Sequence, residues 1–155
     1  MSMVSSIEIF YSYSRKDEGL RDELNKHLAL LKRQNLITGW YDREISSGED
    51  FEGEIAEHLN KAQIILLLVS SDFIASDYCY GTEMMRALER RETREARVIP
   101  IILRPVDWHS APFGKLKALP KDGKAITTWA NRDDAFLDVA KGIRMIVEDL
   151  NGNKQ

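Results

Sequence analysis

Hydrophobic and polar positions follow two periods in turn along this chain, and their alternation outlines a fold. Residues 7–13 are rich in β-branched and aromatic side chains and run into Ser14, Arg15, Lys16 and Asp17, which predicts a strand and then a helix start. Over residues 16–34, Leu20, Leu24, Leu28 and Leu31 form the apolar stripe of an amphipathic helix. Residues 37–41 read as a short second strand. Residues 42–50 are polar, contain Gly48 and read as a loop, and Phe51, Ile55 and Leu59 mark one face of a second helix. The unbroken Ile/Leu/Val run 64–69 suits a central parallel strand buried on both faces. Residues 70–76 read as a loop with an apolar insert. A third helix is expected over 80–91, with Met84, Met85, Ala87 and Leu88 as its apolar side, and residues 89–97 read as its charged, solvated end and a linker.

Residues 98–103 predict a fourth strand, in which Pro100 lacks a ladder donor and implies a bulge or a strand end. Residues 104–124 hold Pro105, Pro112, Gly114, Pro120 and Gly123 and read as a long loop. Residues 125–129 predict a short edge strand. A last helix, capped by Asp133 or Asp134, carries Phe136, Val139, Ala140, Ile143, Ile146, Val147 and Leu150 as its stripe. Residues 1–150 read as one domain and 151–155 as a polar, disordered tail.

Strands that alternate with helices imply a parallel sheet covered on both faces, and ligands on such sheets bind beyond the carboxyl ends of the strands. Here those ends carry residues 12–17, 42–48, 70–80 and 104–108. Composition narrows the classes. With 22 Lys and Arg against 25 Asp and Glu the formal charge is −3, and no basic excess points to nucleic acid. The single cysteine, Cys79, allows no intrachain disulfide and no zinc cluster, and suits a reducing compartment. The longest apolar run is far shorter than the ~20 residues a membrane helix needs. A cytoplasmic protein without a membrane partner is expected.

Three segments at these strand ends, taken together, resemble the Toll/interleukin-1 receptor (TIR) domain family in its bacterial form. Phe10-Tyr11-Ser12-Tyr13-Ser14 followed by Asp17 looks like the family's first box. Trp40-Tyr41-Asp42-Arg43 followed by Gly48 is similar to its second strand and BB loop. Ser71-Asp72-Phe73, then Ser76-Asp77-Tyr78-Cys79, then Glu83, look like the region of its third helix. The resemblance covers about residues 6–149. It implies a flavodoxin-like three-layer α/β sandwich with a five-stranded parallel sheet of order 2-1-3-4-5. It also implies one of two functions: cleavage of the nicotinamide–ribose bond of NAD⁺ in signalling or immune defence, or association with other TIR domains as a non-catalytic adaptor. NAD⁺ would be the substrate, with no further cofactor.

In catalytic members the key residue is a glutamate on the third helix, matched here by Glu83. Nicotinamide leaves NAD⁺ as a neutral base from a cationic ring and needs no general acid. One carboxylate near the anomeric carbon is chemically sufficient to stabilise the positive charge that develops there, or to orient the ribose hydroxyls. Ser12, Tyr13, Ser14, Arg15, Tyr41, Asp42, Arg43, Ser76, Tyr78, Cys79 and Tyr80 are the candidate substrate-binding residues: aromatic rings for stacking, cations for phosphate, and helix N-termini after Ser14 and near Cys79 for phosphate oxygens. Arg43, Glu44, Ile45, Ser46, Ser47, Gly48, Glu49 and Asp50 are the candidate self-association loop, through which weak homo-oligomers or filaments would form. Many catalytic members carry a tryptophan four residues before the glutamate. Cys79 stands at that spacing here and Tyr78 one residue earlier, so either a residue has been inserted at the helix start or Tyr78 replaces the tryptophan.

Blander readings stand beside these. On spacing alone Glu83 is an exposed helix residue paired with Arg86. Cys79 is a small, partly buried residue rather than a nucleophile, and His27, His58 and His109 offer no metal-ligand spacing. No G-x-G-x-x-G follows the first strand, which argues against redox use of a dinucleotide. A phospho-receiver domain would need acidic residues after the first strand and an aspartate ending the third. Phe10 to Tyr13 and Ser70-Ser71 stand there instead.

Overall fold

The structure is a computed structural model and describes residues 6–40 and 51–152. Its elements are β1 (Ile7–Ser12), α1 (Glu18–His27), α2 (Ala29–Arg33), β2 (Ile37–Trp40), α3 (Phe51–Lys61), β3 (Ile64–Val69), α4 (Ser71–Ala75), α5 (Met84–Glu92), β4 (Arg97–Ile102) and α6 (Arg132–Gly152). A 3₁₀ turn, Arg15–Asp17, leads into α1, and a π-helical segment, Asp77–Glu83, leads into α5. The strands pair in parallel in the order β2-β1-β3-β4.

The Ile/Leu/Val run lies where its composition places it. Ile64, Leu66 and Leu68 of β3 enter one core with Leu24 and Leu28 of the α1 region and Phe136, Val139 and Ile143 of α6. Ile65, Leu67 and Val69 enter a second core with Ile55 and Leu59 of α3 and Met84 and Ala87 of α5. All six β3 side chains are fully buried, each such burial being worth about 1.5–3 kcal/mol. Neither face of this strand is left for solvent, so a ligand can approach only at its ends.

Several boundaries differ from expectation. The leucine stripe over 16–34 does not form one helix: a 3₁₀ turn, α1 and α2 share it, with a break at Leu28 (φ −96, ψ 4). Leu24, Leu28 and Leu31 remain buried through the break, so periodicity records the buried face and not the continuity of the backbone. Residues 71–75 form α4 rather than loop, because the Ser70 hydroxyl caps them by accepting from Phe73 N at 3.1 Å. The third helix begins earlier than expected, through the π-helical segment, and Met85 on its apolar side is 48% exposed. The stretch 89–97 is not wholly solvated. Arg90 is buried and donates to Leu59 O (2.7 Å) and Ala62 O (2.6 Å), main-chain carbonyls at the end of α3 that the helix ladder leaves without donors. Burial lowers its pKa from the usual arginine value, partly offset by Glu95. The last helix is capped not by an aspartate but by Asn131, whose Oδ1 accepts from Asp134 N at 3.2 Å, and it continues to Gly152, into the segment expected to be tail.

The fifth strand is absent among the described residues. Residues 125–129 hold a 3₁₀ turn, Ile126–Thr128, in its place. The outer edge of β4 is paired instead by Leu119, whose N donates to Pro100 O (2.9 Å) and whose O accepts from Ile102 N (2.8 Å), and by Thr127 N donating to Leu103 O (3.1 Å). This also corrects the reading of Pro100. It sits inside β4 without ending it, since its main-chain groups face Leu119 and the missing N–H falls on the outer side of the sheet, away from β3.

Candidate functional site

The carboxyl ends of the strands gather polar side chains that the flanking helices then bury. Ser12 closes β1 and is wholly buried, and Ser70, just past β3, is wholly buried too. Asp17, at the end of the 3₁₀ turn, accepts from Arg104 Nε at 2.9 Å and from the Ser70 hydroxyl, and Arg104 also pairs with Asp72. One aspartate therefore ties the ends of β1, β3 and β4 together. Burial works against the Arg104 charge, but the hydrogen bonds and ion pairs with Asp17 and Asp72 prevail and raise its pKa from the usual value.

Beside this tie a cleft of ≈ 400 Å³ opens above β1, between the turn 14–16, α3 and the π-helical segment. It is lined by Phe10, Tyr11, Tyr13, Ser14, Arg15, Lys16, Ile55, Ser76, Tyr78, Cys79 and Glu83. Glu83 is the acid of this cleft. Its side chain is only 6% exposed and accepts a hydrogen bond from Ser12 Oγ at 2.7 Å. The expected surface pair with Arg86 is not made. Arg86 reaches Asn60 (2.7 Å) and Glu89 (3.7 Å) instead, because the helix turns Glu83 inward and Arg86 outward.

The π-helical segment sets the spacing between Tyr78 and Glu83. A π turn closes i→i+5 bonds and holds one residue more than an α turn. Tyr78, five residues before Glu83, therefore lies one turn away on the same wall, and both line the cleft. The sequence left open whether a residue is inserted here or Tyr78 replaces the tryptophan; the turn is π-helical, and Tyr78 and Glu83 share the cleft wall. Cys79 is buried and its thiol donates to Tyr13 O at 3.3 Å, joining the two walls. Tyr13 in turn lies against Arg21, whose guanidinium carbon stands 5.0 Å from the ring centroid and which is itself wholly buried.

Of the described candidates, Tyr13, Ser14, Arg15, Ser76, Tyr78, Cys79 and Glu83 are brought together. Ser12 and Tyr80 are not cleft residues: Ser12 lies beneath Glu83, and Tyr80 packs on the α3 side of the core. The helix N-termini are partly used already, since Lys16 N donates to Ser14 Oγ (3.3 Å) and Cys79 N to Ser76 Oγ (3.1 Å). Arg15 and Lys16 are exposed at the cleft rim. Ile55, Phe10, Tyr11 and Arg21 escaped the sequence reading as site residues, although Ile55 stood on the inward stripe of α3 and Phe10 and Tyr11 in the first box. Tyr41, Asp42 and Arg43 and the association loop, residues 43–50, lie outside the described residues. Among the described residues no group of three or more His, Cys, Asp or Glu could hold a metal ion, and no helix is long and apolar enough to cross a membrane.

A parallel sheet in this order, with one acid sunk into a cleft at its carboxyl rim, defines an α/β module of TIR architecture. The model of the TIR domain family matches residues 9–138, and the chain belongs to that family. It is 62% identical over 136 residues to the uncharacterised protein y4lF of Sinorhizobium fredii (strain NBRC 101917 / NGR234), a match covering 88% of this chain and 42% of that protein. The chain thus spans about two fifths of the length of this curated relative. Among solved structures it is similar to the TIR domain of the Toll-related receptor TRR-2 from Hydra magnipapillata, with a TM-score of 0.61 and 18% identity over 89% of this chain and 96% of that one. It is also similar to the TIR domains of the activated Roq1 resistosome that recognises the pathogen effector XopQ, with a TM-score of 0.50 and 23% identity over 62% and 57% of the chains. Both are likenesses of fold.

Proposed function

We propose that this TIR domain cleaves the nicotinamide–ribose bond of NAD⁺. The observation that carries the reading is the Glu83 carboxyl group, buried by protein yet facing a cleft with aromatic rings on its walls and cations at its rim. In the reaction the C1′–N bond breaks and its electron pair stays on the nicotinamide nitrogen, which neutralises the pyridinium. Positive charge moves to the ribose carbon and ring oxygen. Glu83 offers a negative side chain to that charge in a site partly screened from water, where such an interaction is worth most. Water then adds at C1′ and loses a proton to give ADP-ribose, or an internal nucleophile adds to give a cyclic product. Tyr78 and Tyr13 present ring area for flat heterocycles, and Arg15 and Lys16 present charge to the pyrophosphate.

The test is incubation of the protein with NAD⁺ over a range of concentrations and separation of the products. Glu83→Gln keeps an oxygen for Ser12 to donate to but removes the charge. It is expected to lower turnover by about 10²–10³-fold or more, with thermal unfolding nearly unchanged. Wild-type protein inert at high concentration, or a variant with full turnover, rejects catalysis and leaves a module that acts by binding other TIR domains.

A further inference from the structure

Ser12 was expected to touch substrate, but the structure gives it a different place. Its side chain is wholly buried at the last position of β1, paired in register with Leu67 of β3, and it is not part of the cleft wall. Its hydroxyl reaches Glu83 Oε1 at 2.7 Å, across 71 residues of sequence, and that contact is buried. Glu83 belongs to the π-helical segment, while Ser12 belongs to a strand paired on both sides. The bond therefore connects the acid of the cleft to a strand inside the sheet.

We infer that Ser12 is a positioning residue, which holds the Glu83 carboxyl group toward the cleft and makes no contact with the ligand itself. A short hydroxyl-to-carboxylate bond of this kind is charge-assisted and directional. It selects one orientation of a side chain that otherwise has three rotatable bonds. For a group that must face charge developing at one carbon atom, a misplacement of about 1 Å lowers the rate by about 10²-fold. This assignment rests on the reading of Glu83 as the acid of NAD⁺ cleavage.

The test separates holding from contact. Ser12→Ala is expected to lower kcat by about 10–100-fold and to leave KM within about twofold, since a group remote from the ligand alters the chemical step and not ground-state binding. Ser12→Thr, which restores a hydroxyl, is expected to recover most of the loss. A raised KM with unchanged kcat overturns the inference in favour of direct contact. So does a Ser12→Thr protein that melts like wild type yet is as slow as Ser12→Ala. A second arm needs no NAD⁺. Thermal unfolding of Ser12→Ala, Glu83→Ala and the double variant is expected to be non-additive, the double losing at least about 2 °C less than the two single losses together. Additive losses overturn the coupling. Wild-type protein inert toward NAD⁺ overturns the reaction itself, and the melting arm then decides by itself whether Ser12 sets Glu83.

Discussion

At the scale of single residues, the side chains that matter most are polar ones in unusual burial. Glu83, Asp17, Arg21 and Arg90 are each less than a tenth exposed. For three of them local pattern gives no sign of this, because partners lie far along the chain: Ser12 for Glu83, Leu59 O and Ala62 O for Arg90, Arg104 for Asp17. The rings and cations of β1's end and its turn were legible, since a strand end in a parallel sheet must project into a crevice. The partition between Ser12, beneath the acid, and Tyr13, on the wall, was not, because it depends on what the π-helical segment brings over that strand. Tyr78 stands 36% exposed on the cleft wall, and stacking of a base on an aromatic ring is worth about 1–3 kcal/mol. Tyr78→Ala is expected to raise KM for NAD⁺ on the order of tenfold, and Tyr78→Phe to change it little. Steady-state kinetics over a range of NAD⁺ concentrations measures both.

Among elements, β3 and the helix stripes were legible because burial on one or both faces writes directly into the order of side chains. What failed were features that a neighbour imposes. The edge strand expected over 125–129 gave way to Leu119 and a 3₁₀ turn, and a π-helical segment stands where an ordinary helix start was expected. The tie made by Asp17 belongs to this scale. It joins the turn that carries Arg15 and Lys16 to the starts of the segments following β3 and β4. Removing it leaves the Ser70 hydroxyl buried without its acceptor and the Arg104 guanidinium, about a third exposed, paired with Asp72. Asp17→Ala is expected to cost about 2–4 kcal/mol, below the 3–5 kcal/mol typical of a fully buried broken pair because Arg104 keeps solvent. Urea unfolding measures the loss, and the cleft rim should loosen with it.

For the whole molecule, the α/β class followed from alternating strands and helices, whereas the strand order came through family resemblance, since periodicity does not say which strand lies beside which. The family association that the sequence suggested is a matter of assembly. A small exposed interface of the kind the sequence reading expects gives affinities too low to hold a dimer at dilution. Specific activity toward NAD⁺ is therefore expected to rise with protein concentration, while light scattering at low micromolar concentration shows a monomer. A tight dimer there, or activity per molecule independent of concentration, contradicts this expectation.

The wide turn before α5 bears on how such chains are to be found and aligned. A search that fixes the interval between aromatic ring and acid at four positions will set Cys79 opposite another protein's ring and score this chain as lacking one. Counting in helical turns instead of positions would set Tyr78 opposite that ring and leave Glu83 in place. Chains that gain or lose one residue here can then keep the same reactive surface, and an apparent gap in the motif becomes a change of winding.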